Sequence, residues 1–500
     1  MFWAFALALK GAHSATEVHP WESRVFYQIF PRSYRDSDGD LVGDFKGIEE
    51  GLPTIQKLGC TAILINPIQA SPYYHNYFAT DFFAPDRAFG ALSDFDHLVA
   101  KAHKMGVKVV LDMEPQYVAT GHKWYQAALR HPGSPEGKHL TTPPSPATAS
   151  VYWYTHRPVE ISSVRLNQPE VVKELKSVFR FWSSHGVDGY RIDHMMDDLD
   201  FKGESAQLYR RLWTPIEADI KSRYPGSFFV GEQADWLSYR SVVDMFASTP
   251  TDATFNFRLQ SALVTLKKGI VAKGLEDYRW FTKEGRFQLN FLENHDMDRF
   301  ASEETNPLRQ RAAAAIFLLA KGAPIIYYGQ ELGMKGEQGR WGSDGNDVPV
   351  RLAYRWGKAL DTPGTARWYK GTWPWANTPF EKNNDGSSLE EQENVPNSLF
   401  NWYRRLIAIR RANPALSTGT QDIFELNSET VLAFRRQSAH QSMVILVNLS
   451  ESSTDLTPET LPSGSNLLVE GKEPAANMAH FEPWQVKVIA EGTRGSASKG

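Results

Sequence analysis

Short apolar runs, each closed by a polar residue at its carboxyl end, constrain this chain more than any other feature. Val25–Ile29, Ala62–Ile65, Val107–Leu111, Gly189–Ile192, Phe228–Val230, Phe287–Leu289 and Ile325–Tyr327 read as strands. Their continuous apolar character fits burial on both faces of a parallel sheet. Amphipathic helices lie between them. Phe95, Leu98, Val99 and Ala102 recur at helical spacing before Gly106, and Val171, Val172, Leu175, Val178, Phe179 and Trp182 do so between Pro169 and Gly186. Repeated strand–helix units imply an α/β fold with right-handed crossovers. The polar residues at the strand ends are Asn66, Asp112, Asp193, Glu232 and His295-Asp296. An open doubly wound sheet concentrates its site at one switch point, whereas a (β/α)8 barrel gathers residues from many strand ends onto one face. The spread predicts a (β/α)8 TIM barrel.

Two interruptions divide the 500 residues further. Residues 114–167 are rich in Pro, His and Tyr and lack helical periodicity, which predicts a small inserted domain between 19–113 and 168–420 of the barrel. From Gln421 the pattern turns to short alternating strands, Thr430–Arg435, Ser442–Asn448, Ser465–Val469 and Gln485–Ile489, predicting a C-terminal antiparallel β-sandwich over 421–490. Residues 491–500 read as a small polar, disordered tail. In residues 1–18, apolar Phe2–Leu9 followed by Gly-Ala-His-Ser-Ala looks like a leader, so a secreted or periplasmic location is expected. No positive charge precedes the apolar stretch, which keeps a cytoplasmic location open.

A net charge of −4 argues against a nucleic-acid partner. The longest uncharged apolar run, Ala312–Ala320, is too short for a membrane span. The single cysteine, Cys60, excludes an intramolecular disulfide framework and reads as a small buried hydrophobe. Aromatic clusters beside Pro, Gly, His and Asn (Tyr73-Tyr74, Tyr77-Phe78, Tyr152-Trp153-Tyr154, Trp373-Pro374-Trp375) read as loop residues that stack on flat ligands such as sugars. Nothing in the sequence sets the oligomeric state.

The chemistry concentrates at the strand ends. In Gly189-Tyr190-Arg191-Ile192-Asp193, period two points Arg191 and Asp193 the same way. A cation there lowers the carboxyl pKa and keeps Asp193 ionised, a nucleophile candidate. Glu232 ends an apolar strand, where burial raises a carboxyl pKa and suits a general acid. Asp296 supplies a third acid, enough for glycoside hydrolysis. The alternative for each is an ion pair at a barrel rim. His194 reads as core or helix-start packing, His75 and His122 as bystanders near the cleft, and Glu390–Glu393 as a solvated face.

At these residues the chain resembles the α-amylase superfamily of retaining glycoside hydrolases. Gly189–Asp193 is similar to its nucleophile segment, Val230-Gly231-Glu232-Gln233 to its acid/base segment, and Phe291–Arg299 to its third-acid segment. Gly322–Glu331 resembles a segment on the seventh barrel strand, and Leu166-Asn167 the end of domain B. The resemblance covers about residues 20–490. It implies catalytic Asp193, Glu232 and Asp296, with Arg191, His295, Tyr77, Phe78, Asp112, Tyr117 and Arg299 around an α-glucan or maltooligosaccharide. It implies α-amylase activity first, with cyclomaltodextrinase, neopullulanase, α-glucosidase or transglycosylase behind it, and a non-catalytic carbohydrate binder as the remote alternative.

Departures from the family pattern carry information. The third-strand motif usually ends in Asn-His, and Gln116-Tyr117 stands there, which puts the family's calcium site at the asparagine in doubt. Phe78 follows Tyr77 where chain-end-cutting α-glucosidases carry Asp, and an apolar ring favours internal cleavage. Separately, Asp36, Asp38 and Asp40 with Gly39 place oxygens at positions 1, 3 and 5 of a turn, suited to structural Ca2+, with the Val42 carbonyl and Asp44 completing the set. This stretch resembles the first-loop calcium site of oligo-1,6-glucosidase-like members.

Overall fold

The computed structural model describes residues 19–131, 133–140, 149–152, 157–195, 205–233, 240–277, 285–341, 344–372, 374–375, 378–457, 461, 464–469 and 478–491. The expected leader and nearly all of the expected tail lie outside them; Glu491, counted with the tail, instead ends a strand.

Eight parallel strands close a barrel: β1 (Phe26–Ile29), β2 (Ala62–Ile65), β3 (Lys108–Met113), β4 (Gly189–Ile192), β5 (Phe228–Gly231), β6 (Ala253–Phe255), β7 (Phe287–Asn290) and β8 (Ala323–Tyr327). Neighbours follow chain order, and β8 pairs back onto β1 with Tyr27 opposite Ile326. The pleat sorts the side chains as period two requires. Phe26, Leu64, Val110, Phe228, Val230, Phe287, Leu289 and Ile325 share the interior core, while Tyr27, Ile63, Val109, Tyr190, Ile192 and Phe229 pack outward in the main core with the helices.

The sequence pattern found seven of these strands and missed β6. Ala253-Thr254-Phe255 has only three residues, and Thr254 spends its hydroxyl on the Gly231 carbonyl (3.0 Å). That short polar-centred run carries no apolar signal of its own. The miss also shifts the numbering: Ala323–Tyr327, within the segment matched to a seventh strand, is the eighth.

The chain leaves the barrel after β3 and returns at helix Pro169–Ser184. In the excursion, Arg157–Ser163 pairs antiparallel with Tyr117–Ala119 and with Ala149–Tyr152. It also holds a helix, Lys123–Arg130, where none was expected. Eight residues are too few to display a period. The helix is fixed by burying Trp124, Tyr125 and Ala128, and by the imidazole of His122, which accepts the Trp124 N–H at the N-terminus. His122 is therefore a buried cap, away from the cleft.

At the C-terminus, β9 (Thr420–Ile423), β10 (Val431–Gln437), β11 (Ser442–Asn448), β12 (Gly464–Val469) and β13 (Val486–Glu491) form an antiparallel sheet in the order β9-β10-β11-β13-β12. One face, with Leu432, Phe434, Ile445 and Val488, joins the main core; the other, with Val431, Ala433, Val444 and Leu446, packs on Phe481. Phe481 belongs to a two-stranded ribbon, Thr454–Asp455 with His480–Phe481, so the second layer of this domain is small. Among the described residues no helix is long and apolar enough to cross a membrane.

Candidate active site

Strand register brings the expected acids together. Asp112 of β3 pairs with Arg191 of β4, and Ile192 pairs with Gly231 of β5, so Asp193 and Glu232 leave adjacent strands at the same level. Gly231 leaves room there for the Met195 sulfur, which would stand 2.4 Å from a Cβ and have to shift. Together with Asp296, these acids border a cleft of about 330 Å³ that is also lined by His75, Tyr77, Phe78 and Arg351.

Arg191 is the electrostatic centre. It is 3% exposed, and its guanidinium pairs with Asp112 (2.8 Å), Asp193 and Glu232 (3.0 Å). One cation thus serves three acids, and the acids separate in protonation. Burial alone would raise Asp193, but Arg191 above all, with His194 and a hydrogen bond to Glu114, overrules it and holds the carboxyl at about 2. Burial dominates at Glu232 and, with repulsion from Asp193 and Asp296, raises it to about 7 against the pull of Arg191. Near neutrality Asp193 is a carboxylate and Glu232 holds a proton for part of the time.

A second network fixes the Tyr77 ring at the cleft. The Tyr77 hydroxyl donates to Asp112 Oδ2 (2.7 Å), and Asn66 donates to both that hydroxyl and Asp112 (3.0 Å each). Tyr77 also hydrogen-bonds His295 Nε2 and lies parallel to its ring, centroids 5.5 Å apart. Gln28 donates to His295 Nδ1 (3.0 Å), which leaves the imidazole proton on Nε2. Burial, reinforced by Arg351 and Arg191, pushes the His295 pKa well down, so the ring is neutral. Asp112 is fully buried beneath this layer and outside the cleft lining.

Asp296 is held from a segment that the sequence reading did not single out. Arg351 contacts Asp296 Oδ1 (2.8 Å), Asp347 (3.1 Å), the Tyr74 hydroxyl (2.7 Å) and the His295 carbonyl (2.8 Å). Asp344 and Asp347 border the same cleft, and His75 Nε2 lies 3.3 Å from Asp344. The available signal was position, since the segment follows β8 and loops after barrel strands face the site.

Several expected residues lie elsewhere. Arg299 is fully buried and outside the cleft lining; it pairs with Glu293 (2.8 Å), donates to the Tyr328 and Val350 carbonyls, and lies over the Tyr327 and Tyr328 rings. Tyr117 begins a strand of the excursion, with its ring 5.8 Å from Phe78 and outside the cleft lining. His194 is not core packing: its backbone is left-handed (φ 41°), its side chain is 64% exposed, and it borders the cleft, with its N–H donated to Glu232 (3.2 Å). Tyr73, Tyr74 and Trp375 are buried, so of the loop aromatics in the described residues Tyr77 and Phe78 border the cleft. Trp153, Tyr154 and Trp373 lie outside the described residues.

The aspartate loop lies in the turn after β1, before helix Phe45–Leu58. Carboxylate oxygens of Asp36, Asp38 and Asp40 lie within 4.8 Å of one another. Partial burial raises Asp40, and repulsion from Asp38, Asp36 and Asp44 adds to the rise, although the Val42 N–H stabilises its carboxylate. Asp44 is not part of that trio. Its oxygens accept the Gly47 N–H (2.7 Å), capping the helix, and the Ser37 N–H (2.8 Å).

A closed parallel barrel with acids after β4, β5 and β7 meeting in one cleft has the groups that glycoside hydrolysis needs. The family model for the alpha amylase catalytic domain matches residues 28–419, and the chain belongs to that family as a glycoside hydrolase. It is 28% identical over 450 residues to Alpha-amylase 3 of Dictyoglomus thermophilum, covering 86% of each chain. It is 26% identical to a 4-alpha-glucanotransferase of Thermotoga neapolitana, covering 85% of this chain and 96% of that one. The crystal structure of an alpha-amylase from H. orenii superposes with a TM-score of 0.78 at 27% identity, over 95% of this chain and 100% of that one.

Proposed function

We propose that the protein is an α-amylase: a retaining hydrolase that cleaves α-1,4-glucosidic bonds of starch or maltooligosaccharides by double displacement. The observation that carries the reading is the meeting of Asp193 and Glu232 on one guanidinium at the cleft, where their pKa values are pushed in opposite directions. Asp193 attacks the anomeric carbon as Glu232 protonates the departing oxygen. Glu232, now a carboxylate, takes a proton from water, which opens the glycosyl ester and regenerates Asp193. Asp296 and the neutral His295 ring hold the sugar at the reacting centre. Two displacements retain configuration, so proton NMR of early maltooligosaccharide hydrolysis should show the α-anomer first. The β-anomer first would contradict the reading.

Two observations keep neighbouring activities in view. The match to a 4-alpha-glucanotransferase favours transfer to a second sugar, since both reactions use the same glycosyl ester. His75, Asp344, Asp347 and Arg351 also line the cleft, and such polar groups can read a chain end, whereas Phe78 offers only an apolar wall. Product analysis on starch, maltotriose, pullulan and cyclodextrin separates these cases. Internal cleavage cuts iodine staining quickly while reducing ends rise slowly. Glucose alone as the early product, with the polymer keeping its length, would favour an α-glucosidase.

The Asp36, Asp38 and Asp40 carboxylates fit Ca2+, because a hard cation relieves their mutual repulsion and takes oxygen ligands. The ion would brace the turn before helix Phe45–Leu58, with no part in the chemistry. A starch-degrading role agrees with a secreted or periplasmic location. Cell fractionation that leaves the protein wholly in the cytoplasm would count against that location.

A further inference from the structure

Beside the nucleophile lies an acid that the double displacement does not use. Glu114 follows β3 and is 5% exposed. Its Oε1 accepts the Gln116 N–H, while Oε2 is buried and meets no N–H or O–H among the described residues. The carboxyl group stands within hydrogen-bond reach of the Asp193 carboxyl. The same short segment is fastened to the nucleophile's backbone, because the Gln116 amide donates to the carbonyls of Asp193 (3.0 Å) and His194 (2.7 Å).

Two buried carboxyl groups in contact cannot both be ionised at modest cost, so the pair retains a proton. Asp193 is salt-bridged to Arg191, and Asp112 and Glu232 share the same guanidinium. Arg191 also lowers Glu114, but less than burial and Asp193 raise it. The charge therefore settles on Asp193 and the proton on Glu114.

We propose that Glu114 is a positioning residue: it keeps its proton throughout the cycle and donates it as a hydrogen bond to Asp193, orienting the nucleophile and favouring its ionised form. This rests on Asp193 being the nucleophile. Burial and the neighbouring Asp193 raise the Glu114 pKa, in agreement with the geometry. The hydrogen bond is strongest to the free carboxylate and weakens once Asp193 is a glycosyl ester. Glu114 thereby assists departure of Asp193 in the second displacement.

The test compares Glu114→Gln, which keeps a donor of the same shape, with Glu114→Met, which does not. Glu114→Met should lower kcat/KM about tenfold or more and move the acid limb of its pH profile up by about one unit. It should also accumulate glycosyl-enzyme during turnover. Glu114→Gln should restore the acid limb towards wild type. Independently of activity, the infrared difference between wild type and Glu114→Gln at neutral pH should contain a buried protonated-carboxyl band. Absence of that band, or a folded Glu114→Met with a wild-type acid limb, would overturn the proposal. Failure of the nucleophile reading is recognised separately, by an active Asp193→Asn, and leaves the infrared result standing.

Discussion

At the scale of single residues, one cation gives neighbouring acids different jobs. Asp193 must be ionised and Glu232 protonated for the first displacement. Hence kcat/KM should gain activity as pH rises through about 2 and lose it as pH rises through about 7. Activity that keeps rising well above neutrality would conflict with Glu232 as the acid. Asp193→Asn should abolish turnover while leaving the fold intact by circular dichroism. Glu232→Gln should cost about 10²–10⁴-fold on glucans, the usual worth of a general acid, and far less on an activated aryl glycoside whose leaving group needs no proton. An equal loss on both substrates would remove Glu232 from that role.

At the scale of elements, the loop after β8 and the turn after β1 carry different loads. Arg351 ties Asp296 to the His295 backbone and to Tyr74, so Arg351→Ala should free the third acid. A misplacement of about 1 Å costs on the order of 10²-fold, and that is the expected fall in kcat/KM. A fall below threefold would mean that Asp296 is oriented by something else. For the aspartate turn, chelator should lower the thermal midpoint and added Ca2+ restore it by mass action, with Asp38→Ala removing the response. Metal analysis finding no cation in fully active protein would exclude the site. What the sequence could reveal follows the same division. Strands buried on both faces and the acids at their ends advertise themselves through apolar runs, which is why Asp193, Glu232 and Asp296 were readable. Arg351 was not, because its role arises from a loop returning across the barrel mouth. Arg299 misled because adjacency to His295 and Asp296 in sequence says nothing of its side chain, which turns into the core onto Glu293. β6 was hidden by its own brevity and its central Thr254.

At the scale of the whole molecule, a buried arginine joins the barrel to the C-terminal sheet. Arg436 of β10 donates to the Leu319 carbonyl (2.7 Å) at the end of helix Pro307–Leu319, and to Gly419 and Thr420. Arg410, on helix Leu399–Ala412, donates to the Leu318, Ala320 and Gly322 carbonyls and so ties that helix to the start of β8. Arg436→Met would leave buried carbonyls unpaired, at about 1–3 kcal/mol each, so a loss of about 3 kcal/mol is expected in denaturant titration. Barrel and sheet should still unfold in one transition, since one face of the sheet belongs to the main core. Two separated transitions in wild type would show that the sheet is an independent unit. The central claim, that Asp193 forms a covalent glycosyl ester, is tested most directly on the intact protein. Incubation with an activated fluoroglycoside, followed by mass spectrometry, should add one glycosyl unit, and peptide mapping should place it on Asp193. A label on another residue, or turnover with inversion and no label at all, would contradict the account.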